Sequence, residues 1–273
     1  MIEQVDSLDE HQIHPRKRTL WFDRQSNNTV LFVHGLSATP AELDPIPEYF
    51  AASLNASLLK LRLPGHGSDG AFLATATAND WQAAVINALD FLVARGQTIW
   101  LLASSTGATL LWPLITRYQA SIAGVAMLSP NFAPRNKYWR LMNLPAARRW
   151  LPKLYGAQHG ELKPADEVGE RYWALPYPST VLFEMNQAIM WARAANVSDL
   201  TRPIFVAVNE HDNVINPYAV LKQLQRAKQA PMQVTWFQPA NSDNQHVLAG
   251  DFCNPSTTKW VQHQLQRFAQ LWQ

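Results

Sequence analysis

Short apolar runs alternate with segments of helical periodicity along most of the 273-residue chain. The apolar runs are rich in branched and aromatic residues and predict strands at residues 29–33, 57–63, 98–103, 124–128, 204–208 and 233–237. The segments between them predict helices at residues 41–54, 80–95, 108–118, 218–228 and 257–272. Several strands are apolar at successive positions, which is typical of a parallel sheet covered on both faces. The pattern therefore predicts an α/β fold with a doubly wound, mostly parallel sheet.

Residues 131–198 interrupt this alternation, because they contain no convincing strand. They carry helix-like stretches dense in aromatic residues and methionines, and a structureless loop of this length is uncommon inside an α/β domain. We therefore predict a helical cap at residues 131–198, inserted into a core formed by residues 1–130 and 199–273. Any one such side chain is more often core than ligand contact, but the underside of a cap would also wall a pocket. The candidate substrate-binding residues are Trp139, Trp173, Phe183 and Met190.

Composition and charge exclude several classes of function. The 23 basic and 21 acidic residues are mixed along the chain and leave a net charge of +2, which argues against a dedicated nucleic-acid surface. The single cysteine excludes an intramolecular disulfide, and the eight histidines show no metal-binding spacing, so neither a metal nor a cofactor is expected. No apolar run reaches the roughly 20 residues that span a bilayer, and residues 1–18 lack the core of a signal peptide. A soluble, cytoplasmic protein without stable membrane insertion is expected.

Three adjacent hydroxyl residues, Ser104, Ser105 and Thr106, follow a predicted strand. A sharp strand-to-helix turn that presents a nucleophile needs small residues two positions before and after it, because strand and helix nearly touch there. With Ser104 at the apex, the flanking leucine and threonine would be too bulky. With Thr106 at the apex the flanks fit, but a β-branched residue is unsuited to the strained backbone. Ser105, flanked by Ala103 and Gly107, meets both conditions and is the predicted nucleophile.

A serine nucleophile needs a histidine that accepts its proton and an acid that orients the histidine. In nucleophile-elbow enzymes the acid and then the histidine follow the serine along the chain. Asp212 comes shortly after the predicted strand at 204–208, and His246 lies in a polar loop after the strand at 233–237. Each alone is more often a surface residue, but their order at the ends of the last two strands predicts an acid and a base.

Acyl transfer also needs N–H donors for the oxyanion. Gly35 follows the predicted strand at 29–33 and allows a tight turn that directs the N–H of Leu36 into the site, while the N–H of Thr106 is the second candidate donor. His34 is expected to fix this turn as a buried histidine.

Five features together resemble the α/β-hydrolase superfamily, and most nearly its capped carboxylesterases and monoacylglycerol-lipase-like enzymes. They are His34-Gly35, LPGHGS at residues 63–68, ASSTG at residues 103–107, Asp212 and His246. The resemblance extends from about residue 20 to the chain end, apart from the cap. It implies that Ser105 is the nucleophile, His246 the base and Asp212 the acid. It also implies that the backbone N–H groups of Leu36 and Thr106 form the oxyanion hole.

Two positions depart from the pattern of that superfamily. Ala103 stands where a glycine is usual, and the glycine expected near the acid is replaced in NEHD at residues 209–212. Glu210 and Asp243 are therefore alternative acids. Asp212 is preferred because the residues after it, NVINP, continue the pattern of the superfamily.

The run GHGSDG at residues 65–70 also matches the fingerprint of a dinucleotide-binding turn. Residues 71–79 open no clear helix, however, and Asp90 lies inside a predicted helix instead of after a second strand. We therefore interpret these glycines as turn residues beneath the site.

These features together predict a serine hydrolase that cleaves an acyl or aromatic carboxylic ester, such as a monoacylglycerol-like molecule, through an acyl-enzyme. The same residues could cleave a C–C bond, an amide or a thioester, and a catalytically silent binding protein of this fold is a further alternative. A dehalogenase is disfavoured, because its nucleophile would be an aspartate where Ser105 stands. The expected partner is a small-molecule ester, and the sequence leaves the oligomeric state open.

Overall fold

The computed structural model describes residues 13–160, 172–237 and 244–273 of the chain. Its strands are β1 (Leu20–Phe22), β2 (Asn28–Val33), β3 (Ser57–Leu61), β4 (Thr98–Ser104), β5 (Ile122–Leu128), β6 (Gln158–His159), β7 (Tyr177–Pro178), β8 (Ile204–Val208) and β9 (Met232–Trp236). Its α-helices are α1 (Ile46–Ser53), α2 (Gly70–Leu73), α3 (Ala78–Ala94), α4 (Ser105–Tyr118), α5 (Ala147–Tyr155), α6 (Val181–Ala194), α7 (Pro217–Leu224) and α8 (Pro255–Trp272). Short 3-10 helices cover Pro15–Lys17 and Lys137–Asn143.

Seven strands form one sheet in the order β1-β3-β2-β4-β5-β8-β9. Every neighbouring pair is parallel except β1 and β3, which are antiparallel at one edge. The carboxyl ends of the parallel strands share one edge of the sheet, where the loops that follow them meet. The predicted α/β fold with a mostly parallel, doubly wound sheet is confirmed.

The core lies on both faces of this sheet. Leu31 and Val33 of β2 belong to the apolar cluster that also contains residues of α3 and α4. Val30 and Phe32 belong to a second cluster, with residues of α1 and α8. Because successive strand side chains point to opposite faces, a continuous apolar run such as β2 fills both layers at once.

Some short elements differ from the sequence prediction. The edge strand β1 was not predicted, and β6 and β7 form a small antiparallel pair within the segment expected to lack strands. Strands of two or three residues are too short to show a periodicity, which explains why the pattern did not indicate them. The helix predicted from residue 41 begins at Ile46, because the residues before it form a series of turns.

The segment between β5 and β8 lies partly over the core and partly within it. Leu151 of α5 packs with Phe183 in a separate small cluster. In contrast, Val181, Ala188 and Ala192 of α6 belong to the large cluster beside α4. Helix α6 therefore attaches this segment to the core, and the boundaries of the predicted cap remain a prediction. Among the described helices, none is long and apolar enough to cross a bilayer.

Candidate active site

Ser105 lies at the sharp turn where β4 ends and α4 begins. Its φ of +46° is in the left-handed region, which costs a non-glycine residue about 1–3 kcal/mol. Two residues later the helix approaches β2 so closely that a Cβ on Gly107 would lie 2.2 Å from the carbonyl oxygen of Val33. Ala103 is a regular strand residue paired in register with Val33, so the strain is at Ser105 itself. The contact at Gly107 explains why small residues must flank the turn.

A continuous hydrogen-bonded path runs from Ser105 through His246 to Asp212. Nε2 of His246 lies 2.9 Å from Oγ of Ser105, and Nδ1 lies 2.7 Å from Oδ2 of Asp212. The side chain of Asp212 is fully buried, and its other oxygen accepts the N–H groups of Val214 and Ile215 at 2.8 and 2.9 Å. One carboxylate oxygen is thus fixed by the backbone, which leaves the other to orient the imidazole ring.

The loop that carries His246 is held by neighbouring strand ends. The hydroxyl of Ser129, just after β5, donates to the carbonyl oxygen of His246 at 2.7 Å. The side chain of Asn209, just after β8, donates to the carbonyl oxygen of Gln245 at 2.9 Å. The N–H of His246 also donates to the side-chain oxygen of Asn244 at 3.0 Å. These contacts fix the ring beside Ser105, although the two residues are 141 positions apart.

The two alternative acids are in different situations. Glu210 is exposed, and its carboxylate accepts the hydroxyl of Tyr218 at 2.8 Å. Asp243 lies outside the described residues. Of the predicted acids that the structure describes, it is Asp212 that lies against His246.

His34 fixes the turn after β2, as expected from the sequence. The N–H of Leu63 donates to Nε2 of the ring at 3.1 Å, so the proton of the neutral ring is on Nδ1, 2.8 Å from the carbonyl oxygen of Gly35. Burial, and then the nearby His66, hold the pKa of His34 well below its usual range. A neutral ring that bridges β2 and the loop after β3 sets the direction of the Gly35–Leu36 turn.

Glu42 is a site residue that the sequence reasoning missed. Its carboxylate is buried and accepts the N–H of Gly35 at 2.9 Å. Burial raises the pKa of Glu42, while the bond from Gly35, the charge of His246 and the side chain of Ser104 act in the opposite direction. The signal in the sequence was one acid between two apolar residues, Ala41 and Leu43.

A cavity of about 540 Å³ opens above Ser105 and His246. The predicted oxyanion residues Leu36 and Thr106 line it, and so does Glu42. The segment between β5 and β8 supplies much of the apolar wall, from Tyr138, Trp139, Met142, Leu151, Trp173, Leu182, Phe183 and Met185.

Three of the four predicted substrate-binding residues, Trp139, Trp173 and Phe183, therefore lie at the cavity. Met190, the fourth, lies away from this cavity. This side chain is 40% exposed and does not line the cavity. It lies seven residues after Phe183, about 10 Å further along α6, beyond the contact of Phe183 with α5. Helical spacing put both side chains on one face, but α5 packs against only the part of that face at Phe183.

The glycines of residues 65–70 serve turns and close packing. Gly65 and Gly67 have φ values of +77° and +92°, which a glycine adopts without strain. A Cβ on Gly70 would lie 1.9 Å from the carbonyl oxygen of Pro176, so the backbone of the segment before β7 rests directly on this residue. Within the described parts of the chain, no group of three or more His, Cys, Asp or Glu residues could hold a metal ion.

Comparison with known proteins places this fold and site in a family. The model of the alpha/beta hydrolase family matches residues 30–250. The thermostable monoacylglycerol lipase of Bacillus sp. (strain H-257) is 26% identical over 194 residues, which cover 69% of this chain and 72% of the relative. The chain belongs to the alpha/beta hydrolase family.

Solved structures are similar over almost the whole chain. One comes from work on LipS and LipT, two metagenome-derived lipolytic enzymes, with a TM-score of 0.76, 18% identity and coverage of 95% of this chain and 100% of the other. The monoacylglycerol lipase of Paleococcus ferrophilus has a TM-score of 0.66, 13% identity and coverage of 92% and 97%. At these identities the likeness shows a shared fold.

Proposed function

We propose that this hydrolase cleaves carboxylic esters with a Ser-His-Asp triad and an acyl-enzyme intermediate. The observation that carries the proposal is the path from Ser105 through His246 to the buried Asp212, at the floor of a largely apolar cavity. A serine alone is a weak nucleophile, so this path supplies the base and the acid that activate it.

The proposed reaction has two steps. His246 takes the proton of Ser105 as its oxygen attacks the ester carbonyl carbon, and Asp212 stabilises the imidazolium that forms. The imidazolium then protonates the leaving alcohol, and the acyl group remains on Ser105. A water molecule, deprotonated in turn by His246, attacks the acyl carbon. The bond to Oγ of Ser105 breaks, His246 returns the proton to Oγ, and the carboxylic acid is released.

The oxyanion is assigned to the N–H groups of Thr106 and Leu36. Thr106 is in the first turn of α4, where backbone N–H groups have no partner within the helix and the helix dipole favours negative charge. The N–H of Gly35 is occupied by Glu42, so the next N–H along the turn, that of Leu36, is the candidate for the substrate. Both residues line the cavity.

The substrate class follows from the walls of the cavity. Aromatic and aliphatic side chains from the segment at residues 131–198, which we propose as the cap, favour an acyl or aromatic ester over a highly charged substrate. The monoacylglycerol lipase among the relatives supports an acyl ester of this kind.

Labelling with a fluorophosphonate probe tests the nucleophile. The wild-type protein is expected to react covalently, and Ser105→Ala is expected to lose labelling completely, because the probe requires an activated serine. Ser104→Ala is the matched control, since it removes the adjacent hydroxyl and leaves Ser105 and His246 in place. Labelling that persists in Ser105→Ala would contradict the assignment.

The bond that is cleaved is tested with a chain-length panel of p-nitrophenyl esters beside amide and thioester analogues. Turnover of the esters, abolished in Ser105→Ala, is the expected result. A preference for the amides or thioesters would favour those alternatives with the same triad. Absence of turnover on the entire panel would favour a binding protein.

A further inference from the structure

We propose that Glu42 is a positioning residue for acyl transfer, which joins the oxyanion turn to the nucleophile elbow and acts as a second carboxylate on His246. The inference rests on the proposed function and deepens it, because it adds a group that acts through the base instead of touching the substrate.

The contacts of Glu42 connect two parts of the site. Its carboxylate accepts the N–H of Gly35, one residue before the proposed donor Leu36. The side chain of Ser104, one residue before the proposed nucleophile Ser105, lowers the pKa of this carboxyl. The fit is close, because a Cβ on Gly35 would lie 3.0 Å from Oε1 of Glu42 and 3.3 Å from Cβ of Ser105. The carboxylate of Glu42 thus holds the turn at Gly35 close to the elbow at Ser105.

The charges around His246 come from two directions. Asp212, from the loop after β8, binds Nδ1 of the ring directly. Glu42, from the loop after β2, interacts with His246 through its charge. Other acids nearby in the sequence are directed elsewhere, because Asp44 and Glu48 both pair with Lys60. Glu42 and His246 both line the cavity at Ser105, and the charge of His246 lowers the pKa of Glu42.

The consequence follows from the proposed reaction. When His246 takes the proton of Ser105, a positive charge develops in a buried site where electrostatic interactions are weakly screened. An ionised Glu42 stabilises that charge, and a protonated Glu42 does not. Burial raises the pKa of Glu42, and a fall in pH that protonates Glu42 removes this contribution.

The test measures kcat and KM of Glu42→Gln and of wild type on an activated ester over a range of pH. Glutamine keeps the size of the side chain and an oxygen that can accept the N–H of Gly35, but it carries no charge. We expect kcat to fall about tenfold with little change in KM, because the charge acts in the transition state. As the pH is lowered and wild-type Glu42 takes up a proton, the gap between the two proteins should narrow.

Two further variants belong to the same assay. Glu210→Gln removes the same charge at an exposed position, where the carboxylate accepts the hydroxyl of Tyr218. Its kcat and KM should match those of wild type at every pH. Ser105→Ala should be inactive. If Ser105→Ala keeps its activity, the proposed function itself fails. If it is inactive while Glu42→Gln has the wild-type rate, only the role of Glu42 is overturned.

A loss of activity in Glu42→Gln that is equal at all pH values would also overturn the proposal, because it would indicate a packing effect. If Glu42→Gln does not fold, Ser104→Ala provides the test. Removing the hydroxyl that lowers the pKa of Glu42 should raise the pH at which Glu42 takes up a proton, so the roughly tenfold loss of kcat should set in at a higher pH than in wild type, as an acid limb of kcat. An unchanged acid limb in Ser104→Ala would contradict the inference.

Discussion

Three adjacent hydroxyl side chains have three different surroundings. The side chain of Ser104 lowers the pKa of Glu42, and Ser105 lies against the ring of His246. Oγ1 of Thr106 is buried without a hydrogen-bond partner in the described structure. The left-handed backbone at Ser105 produces this division, because it turns one side chain toward the cavity while its neighbours remain in the strand and the helix.

The acid of the proposed triad can be tested directly. Asp212→Asn keeps the acceptor for the N–H groups of Val214 and Ile215 but favours the wrong tautomer of His246, so kcat should fall by roughly three to four orders of magnitude. The measurement is turnover of an activated ester. Glu210→Gln is the control and should retain the wild-type rate. A large loss in Asp243→Asn, with Asp212→Asn active, would show that the acid is misassigned.

At the scale of elements, the loop after β3 packs against a strand that lines the site. Gly70 opens α2 and is in contact with the backbone before β7, whose Tyr177 lines the cavity. Glycine is needed there because any Cβ would overlap the carbonyl group of Pro176. The motif that matched a nucleotide fingerprint thus serves close packing between the loop after β3 and the backbone at Pro176 and Tyr177.

Gly70→Ala should displace the backbone at Pro176 and Tyr177. We expect the free energy of unfolding to fall by about 1–3 kcal/mol, as in other overpacked sites, and KM to rise more than kcat falls, because the triad is not touched. Thermal unfolding and steady-state kinetics measure the two effects.

Gly96→Ala is the matched control, because an added Cβ would meet no atom within 4 Å while φ is +68°. It should lose about 1–2 kcal/mol through backbone strain alone and keep the wild-type KM. An unchanged KM in Gly70→Ala would show that β7 does not shape the substrate site.

At the scale of the whole molecule, Glu42 links stability to pH. A buried carboxyl whose pKa is raised above the ordinary glutamate value of 4.5 binds a proton more tightly in the folded protein than in the unfolded chain. The contribution of Glu42 to the free energy of unfolding is therefore highest at low pH. It falls as the pH rises from about 4.5 through the raised pKa of the folded state.

Glu42→Gln cannot titrate at this position. The free energy of unfolding of Glu42→Gln minus that of wild type should therefore increase as the pH rises from about 4.5, and then level off. The variant thus becomes more stable relative to wild type. Denaturant unfolding across this pH range measures the difference, and Glu210→Gln should run parallel to wild type. A difference that does not vary with pH would contradict a raised pKa at Glu42.

Three residues show how much of the site could be predicted from the sequence. The elbow at Ser105 was predictable because its requirements are local, namely small flanking residues and a non-branched side chain. Glu42 was missed because nothing within its own turn indicates that its carboxylate lies beside Gly35 and Ser104. Met190 lies away from the cavity, because helical spacing gives the direction of a side chain but not how far the cavity extends along the helix.

The sequence by itself determined the α/β order of elements, the mostly parallel sheet and the candidates Ser105, Asp212 and His246, because each depends on patterns within a few residues. Only the tertiary structure decided which residues meet: Asp212 with His246, Glu42 with the turn at Gly35, and Gly70 with the backbone at Pro176. The physical reason is that these contacts join segments that are brought together by packing of the sheet and its helices. Local patterns of hydrophobic and polar residues do not indicate the distance between such segments.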